Sequence, residues 1–199
     1  MDQNNLFPVF LKLEELNTLL VGGGNVGFEK LSAILKNSPA ARVTVVAGII
    51  REPLKLLVKD HPRVKLVNRN FRSTDLRNKD LVILATDDKK LHSRIRKMTR
   101  GKNLLINVAD TPDLCDFYLG AVVRKGNLKI GISTNGKSPT IAKRMREYLE
   151  EVLPNDTNIL LENMRTIRDK MKGDFDEKVK ALNEITSSWL KKSDKTNTD

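Results

Sequence analysis

Apolar residues fall into short runs separated by stretches with helical spacing. The first run, Asn17 to Val21 (NTLLV), stops at three consecutive glycines, after which Val26, Leu31 and Leu35 recur at helical intervals up to Lys36. A strand, a tight turn and a helix are predicted in that order. Arg42 to Ala47 (RVTVVA) is rich in β-branched residues and lacks polar alternation, as a parallel strand covered on both faces requires. A helix is predicted from about Pro53 to Lys59, then a strand at Val64–Asn68 and a polar crossover around Ser73–Asn78. Leu81–Ala85 follows as a strand, Leu91–Thr99 as a basic helix and Leu104–Val108 as a closing strand. Alternation of this kind describes an open, doubly wound parallel sheet.

After about Leu119 the pattern changes. Ala121–Val123 and Leu128–Ile132 are strand-like runs joined by Arg124-Lys125-Gly126-Asn127, a hairpin in place of a further strand and helix. Ser138-Pro139 supplies an N-cap and a first-turn proline for a helix with the apolar stripe Ile141, Met145, Tyr148, Leu149 and Val152, ended by Pro154. Two further amphipathic helices are predicted, one carrying Leu160, Met164, Ile167 and Met171 before Gly173, the other Phe175, Val179, Leu182, Ile185 and Trp189. The expected division is a nucleotide-binding region at 1–119, a dimerisation segment at 120–153, a helical module at 154–192 and a disordered tail at 193–199. The middle segment is the expected dimer surface, because a lone hairpin and helix bury too little area to stand alone.

Composition narrows the class. The chain has 199 residues, 36 Lys+Arg against 25 Asp+Glu, a formal net charge of +11 and a pI near 9.8. Such a surface attracts anions, whether nucleic acid, anionic lipid or a small polycarboxylate or phosphate. Mean hydropathy is −0.38, and no long uncharged apolar run or basic-then-apolar leader is visible, so a cytoplasmic protein is expected. The single cysteine, Cys115, excludes an internal disulfide and a cysteine-based zinc cluster, and no metal site is expected.

Gly22-Gly23-Gly24-Asn25-Val26-Gly27 fits G-x-G-x-x-G directly after the first strand and at the start of the first helix. There Gly22 permits the turn, Gly24 lets backbone approach a pyrophosphate, and Gly27 lets helix and strand pack closely, with the helix N-terminus receiving the phosphate charge. The alternative is a glycine turn with no ligand. The acidic residue that usually binds the ribose at the end of the second strand is replaced by Ala47-Gly48-Ile49, with Arg51 close behind, leaving NAD and NADP both open.

Asp110 follows the fifth strand, on the edge where open α/β sheets hold ligands. It is either a base facing a nicotinamide or a turn aspartate capping its own backbone before Pro112. Asp87 and Asp88 lie on the same edge and read as helix caps. The loop Ser133-Thr134-Asn135-Gly136-Lys137-Ser138 precedes a helix start and offers amides, hydroxyls and an ammonium to an anion, or is an ordinary capped loop. Cys115 reads as a packing residue, His61 and His92 as surface residues, and Arg94, Arg96, Lys97 and Arg100 as a solvated basic face.

FPVFLKLEELNTLLVGGGNVGFEK, RVTVVA, LVILATDD, LINVADTPDLCDF and GISTNGKSPTIAKRMREYLE, in that order, resemble the precorrin-2 dehydrogenase family, including the N-terminal part of siroheme synthase, from about Phe7 to Leu153. The resemblance implies a Rossmann-type sheet and a homodimer that oxidises precorrin-2 to sirohydrochlorin with NAD⁺, some members also inserting Fe²⁺ to give siroheme. It implies that Asp110 falls on the family's essential aspartate, and that Asn25, Val26, Gly48 and Ile49 fall on NAD-contacting positions. With Gly22, Gly23, Gly24 and Thr86 these make the expected cofactor-binding set. The loop matches the family's active-site loop, giving Thr134, Asn135, Lys137 and Ser138 as expected substrate-binding residues. Gly27 stands where alanine is common in the family. The competing expectation is an NAD(H)-sensing regulator that passes its signal to a basic nucleic-acid-binding module; the acids Glu162, Asp169, Asp176, Glu177 and Glu184 among the C-terminal bases argue against a recognition helix.

Overall fold

The computed structural model describes residues 3–155, 157–171 and 174–187, and these divide into two compact units, one of residues up to 121 with 133–142 and the other of 122–132 with the described residues from 143 onward. The first unit is a five-stranded sheet in the order β3-β2-β1-β4-β5, built from β1 (Asn17–Val21), β2 (Arg42–Ala47), β3 (Val64–Asn68), β4 (Leu81–Leu84) and β5 (Leu105–Val108). All four pairings are parallel, with Val21 opposite Val46 and Leu84, and Leu84 opposite Val108. The strand ends that follow Val21, Leu84 and Val108 therefore lie side by side on one edge, and the order reverses between β1 and β4, where such sheets hold ligands.

Because side chains alternate across a strand, the continuous apolar runs feed two cores. Leu20, Val43, Val45, Ala47 and Ile83 pack against Leu31, Ile34 and Leu35 of α1 (Asn25–Asn37) and Leu54 of α2 (Glu52–Val58). On the other face Leu19, Val21, Val46, Val82, Leu84 and Ile106 pack against Ile95 of α3 (Lys89–Thr99) and Leu76 of the 3₁₀ turn Ser73–Leu76. A fully buried Leu or Ile of this kind contributes about 1.5–3 kcal/mol.

Two charged pairs fix the crossovers. Arg69 and Asp75 meet in a bidentate pair at 2.6 and 2.8 Å, and the Asp75 carboxylate also accepts from the Arg72 amide. Arg96 on α3 binds Asp116 bidentately at 2.6 Å, and Asp116 also accepts from the Ile106 amide. Arg96 thus does not belong to the solvated basic face expected for this helix; Lys89, Lys90, Ser93, Arg94, Lys97 and Arg100 form the exposed side instead.

The second unit holds the hairpin of β6 (Ala121–Lys125) and β7 (Leu128–Ile132), most of α4 (Pro139–Val152), α5 (Thr157–Lys170) and α6 (Phe175–Thr186). The hairpin loop is Gly126-Asn127, shorter than the four-residue turn expected, with Gly126 at φ +57. Asn158 receives the Asn127 amide at 2.7 Å and Asn155 the Lys125 ammonium at 2.7 Å, so the start of α5 fastens the turn. A reciprocal Asp174–Glu177 box opens α6. On α4 the stripe Ile141, Met145, Tyr148 and Val152 is exposed, at 45–58% of each residue's surface. Trp189 and the expected tail at 193–199 lie outside the described residues. Among the described residues no helix is long and apolar enough to cross a membrane.

Candidate functional site

β1 ends at Val21 and α1 begins at Asn25, so Gly22-Gly23-Gly24 form the turn between them, as the motif requires. Gly22 has φ +126, and a Cβ there would overlap the Ala85 carbonyl of the neighbouring strand end. Gly23 and Gly27 likewise face backbone oxygens, of Ile49 and Gly22. Gly24 differs: its φ is −85, and a Cβ on it would meet nothing within 4 Å. Three of the four glycines thus serve the protein's own packing, and the fourth leaves open space at the start of a helix.

That helix start is uncompensated. No side chain caps α1, and no acidic residue occupies its first turn. Free first-turn amides and the positive end of the helix dipole suit a phosphate, and the open space at Gly24 suits its approach, so the residues present fit a dinucleotide. Arg51 lies against this turn, its amide donating to the Gly23 carbonyl at 3.0 Å and its guanidinium to Asn25 Oδ1 at 2.6 Å. Gly48 and Ile49 are exposed beyond the end of β2, Ile49 at 82%. Val26 is half-buried against the α1 side of the core.

Thr86 follows β4 and places its methyl near the Gly22 turn, while its hydroxyl lies 2.9 Å from His92 Nε2. His92, expected at the surface, is instead 3% exposed. The helical register of α3 explains this: residues 92, 95 and 99 form its buried face. Burial pushes the imidazole pKa down, against the pull of Asp88, Thr86 and Asp87. Asp88 caps α3, accepting the Leu91 amide at 2.9 Å.

The chain leaves β5 through Ala109, whose amide donates to the Leu84 carbonyl, and enters Asp110 at φ +56. A non-glycine residue in the left-handed region is strained and often functional. The Asp110 side chain is exposed and makes no hydrogen bond among the described residues, so the self-capping alternative is not what this turn adopts. From the register, Gly22 and Ala109 are two strand spacings apart across Ala85, about 9–10 Å. A ligand seated on the α1 amides therefore has room to extend over β4 towards Asp110.

Cys115 is half-buried beside this turn, and burial pushes its thiol pKa up. Its sulfur accepts the Val108 amide at 3.2 Å and lies within donating reach of the Val108 and Thr111 carbonyls, at 3.3 and 3.4 Å. These contacts were not foreseen from spacing; the only sequence signal was a small sulfur residue a few positions beyond a strand end.

In the loop after β7, Thr134 and Ser138 are engaged with each other: Thr134 Oγ1 donates to the Ser138 carbonyl at 3.1 Å and accepts the Ser138 amide at 3.3 Å. Ser138 Oγ caps α4 through the Ile141 amide at 3.2 Å. Asn135 and Gly136 are both left-handed, at φ +53 and +73, and Asn4 reaches Ser133 at 3.3 Å. Asn135 is half-buried and Lys137 exposed, both free of side-chain hydrogen bonds among the described residues, and no hydrogen bond joins this loop to Asp110 or to the glycine turn. No group of three His, Cys, Asp or Glu able to hold a metal ion occurs among the described residues.

Residues 9–121 match the NAD(P)-binding family model, and residues 125–151 match the model described as sirohaem biosynthesis protein central. The siroheme synthase of Psychrobacter cryohalolentis is 35% identical over 185 residues, 93% of this chain and 34% of that protein. That of Pseudoalteromonas atlantica is 34% identical over 174 residues, 87% of this chain and 37% of that protein. The chain thus spans about a third of the length of the curated relatives it matches. Among solved structures, SirC, a precorrin-2 dehydrogenase, aligns with a TM-score of 0.72 at 23% identity, over 90% of this chain and 89% of its own, and shares the fold.

Proposed function

The chain belongs to the NAD(P)-binding family, and from that membership together with its likeness to siroheme synthases we propose that it oxidises precorrin-2 to sirohydrochlorin with NAD⁺. The carrying observation is the exposed Asp110 carboxylate, without a hydrogen-bond partner among the described residues and held at φ +56 on the strand edge that also bears the open glycine turn. The named activities of the relatives and of the structural neighbour support the same chemistry. Nothing in the matched families points to the nucleic-acid-binding regulator.

In this reading Gly22, Gly23, Gly24, Asn25 and Val26 bind the pyrophosphate, Gly48 and Ile49 flank the adenosine end, and Thr86 lies under the path to the nicotinamide. Bound NAD⁺ supplies the hydride acceptor. The oxidation removes a hydride and a proton from the macrocycle, and Asp110 takes the proton as general base. Lys137 and Asn135 bind substrate carboxylates, while Thr134 and Ser138 hold the loop that presents them. A chain of charge +11 attracts a polycarboxylate over about a Debye length, near 8 Å at physiological salt. Fe²⁺ is a second substrate in the fuller version of this reading, inserted into the oxidised macrocycle whose own nitrogens bind it. The setting is cytoplasmic, and the working form is a homodimer through residues 120–153.

The test is anaerobic incubation with precorrin-2 and NAD⁺, following sirohydrochlorin absorption, with Fe²⁺ added afterwards. Oxidation is the expected result, and siroheme formation after Fe²⁺ identifies the second activity. No oxidation with either NAD⁺ or NADP⁺ overturns the reading.

A further inference from the structure

β5 is an edge strand, so one row of its backbone groups has no strand partner, and the chain covers that row with its own continuation. The Ile106 amide goes to the Asp116 carboxylate at 3.1 Å, and the Ile106 carbonyl accepts the Asp116 amide at 2.7 Å. Asn107, buried, donates through its side chain to the Phe117 carbonyl at 2.8 Å. One step further along, the Val108 amide and carbonyl both meet Cys115 Sγ, which also reaches the Thr111 carbonyl. Between Val108 and Thr111 lies Asp110. We propose that Cys115 is a positioning residue: its thiol fastens both sides of the turn that carries Asp110 and so holds the carboxylate in its left-handed, outward setting.

The inference rests on Asp110 being the base. The physical case is that a left-handed aspartate is less favourable than an extended or right-handed one and persists where its surroundings determine it. Other contacts spanning the turn are long or local: Thr111 N to the Val108 carbonyl at 3.4 Å and Thr111 Oγ1 to the Ala109 carbonyl at 3.3 Å. The thiol adds an acceptor for the Val108 amide and one proton shared by two carbonyls. Its raised pKa keeps it protonated, and hence a donor, at neutral pH. A serine hydroxyl offers the same donor and acceptor at somewhat shorter reach; alanine offers neither.

The experiment compares Cys115→Ala, Cys115→Ser and Asp110→Asn in the full chain, by steady-state kinetics and by amide hydrogen exchange without ligands. Cys115→Ala is expected to speed exchange across residues 108–116 while β1 to β4 keep their protection. Its kcat is expected to fall about 10- to 100-fold, the effect of misplacing a catalytic group by about an ångström, with little change in KM for NAD⁺. Cys115→Ser is expected to restore most of the protection and most of kcat. Unchanged exchange or unchanged kcat in Cys115→Ala overturns the proposal, as does a serine variant no better than alanine, which would mark the thiol as packing only. Full activity in Asp110→Asn instead overturns the role of Asp110, and the positioning role with it, even where exchange shows that the staple exists.

Discussion

Asp110 combines backbone strain with an exposed carboxylate that has no hydrogen-bond partner among the described residues, and the two can be separated by choice of substitution. Asparagine tolerates the left-handed region and keeps the shape but cannot accept a proton. Asp110→Asn is therefore expected to fold with an unchanged melting temperature and to lose about 10²–10⁴ in kcat. Asp110→Gly relieves the strain and is expected to melt at the same temperature or slightly higher while also being inactive. A loss of stability in Asp110→Gly would show that the aspartate is there for the fold. His92 offers a different test. Its folded pKa lies below the unfolded value near 6.5, so as pH falls the unfolded chain protonates first. The neutral buried ring accordingly suits the fold above about pH 6.5, and stability is lost as pH falls through that value towards the depressed folded pKa. Asp75 and Asp116, whose pKa values are held down by their arginine partners, lose their contribution only below about pH 4. Melting temperature from about pH 7.5 to about pH 5 is expected to fall more steeply in the wild type than in His92→Asn. Parallel curves would show that the Thr86–His92 pair carries no proton linkage in this range.

The turn between β1 and α1 can be dissected in the same way. Gly22→Val is expected to lower the melting temperature sharply, because φ +126 and the Ala85 carbonyl both exclude a side chain. Gly24→Val is expected to leave the melting temperature nearly unchanged, since its Cβ meets no protein atom, while NAD⁺ binding measured by calorimetry is lost. Retained NAD⁺ affinity in Gly24→Val would remove the pyrophosphate from this turn. This contrast also marks how far sequence carries. The strands, the glycine turn and the α4 cap at Ser138 were readable because each follows from local chemistry: a β-branched run, a glycine spacing, a serine before proline. The burial of His92, the pairing of Arg96 with Asp116 and the sulfur contacts of Cys115 were not, because each joins elements whose packing depends on helical register and strand order. His92 and Arg96 lie four apart on α3, and one is buried while the other pairs across to the segment after β5; their residue types alone gave no hint of the difference. For the proposed substrate loop, the family resemblance named the residues but not the division of labour between them, in which Thr134 and Ser138 hold the loop and the Asn135 and Lys137 side chains make no hydrogen bond among the described residues.

The proposed dimer follows from what α4 and the hairpin leave unused. A two-stranded sheet is marginal by itself, and β6 and β7 pair only with each other among the described residues. Ile141, Met145, Tyr148 and Val152 present an unbroken apolar stripe to solvent, which is more than scattered surface apolarity accounts for. A stable interface needs about 800 Å² from each partner, more than one helix stripe supplies, so the hairpin must contribute as well. Charge shapes the interface too: Arg146–Glu150 at 2.7 Å and Lys143–Glu147 at 3.8 Å neutralise part of α4, which lets its stripe meet a copy of itself despite a chain charge of +11. The wild type is thus expected to sediment at twice the 22.5 kDa of the chain, and Met145→Asp with Tyr148→Asp at the single mass. Sedimentation of the wild type at the single mass would dispose of the dimer. Because the Ser133–Ser138 loop runs straight into α4 and caps it through Ser138 Oγ, the monomeric variant should also hold Lys137 less firmly. Its KM for the tetrapyrrole is then expected to rise while calorimetric NAD⁺ affinity stays the same, since among the described residues no hydrogen bond joins this loop to the glycine turn. A monomer with wild-type KM for the tetrapyrrole would separate assembly from substrate binding and place the loop's order within a single chain.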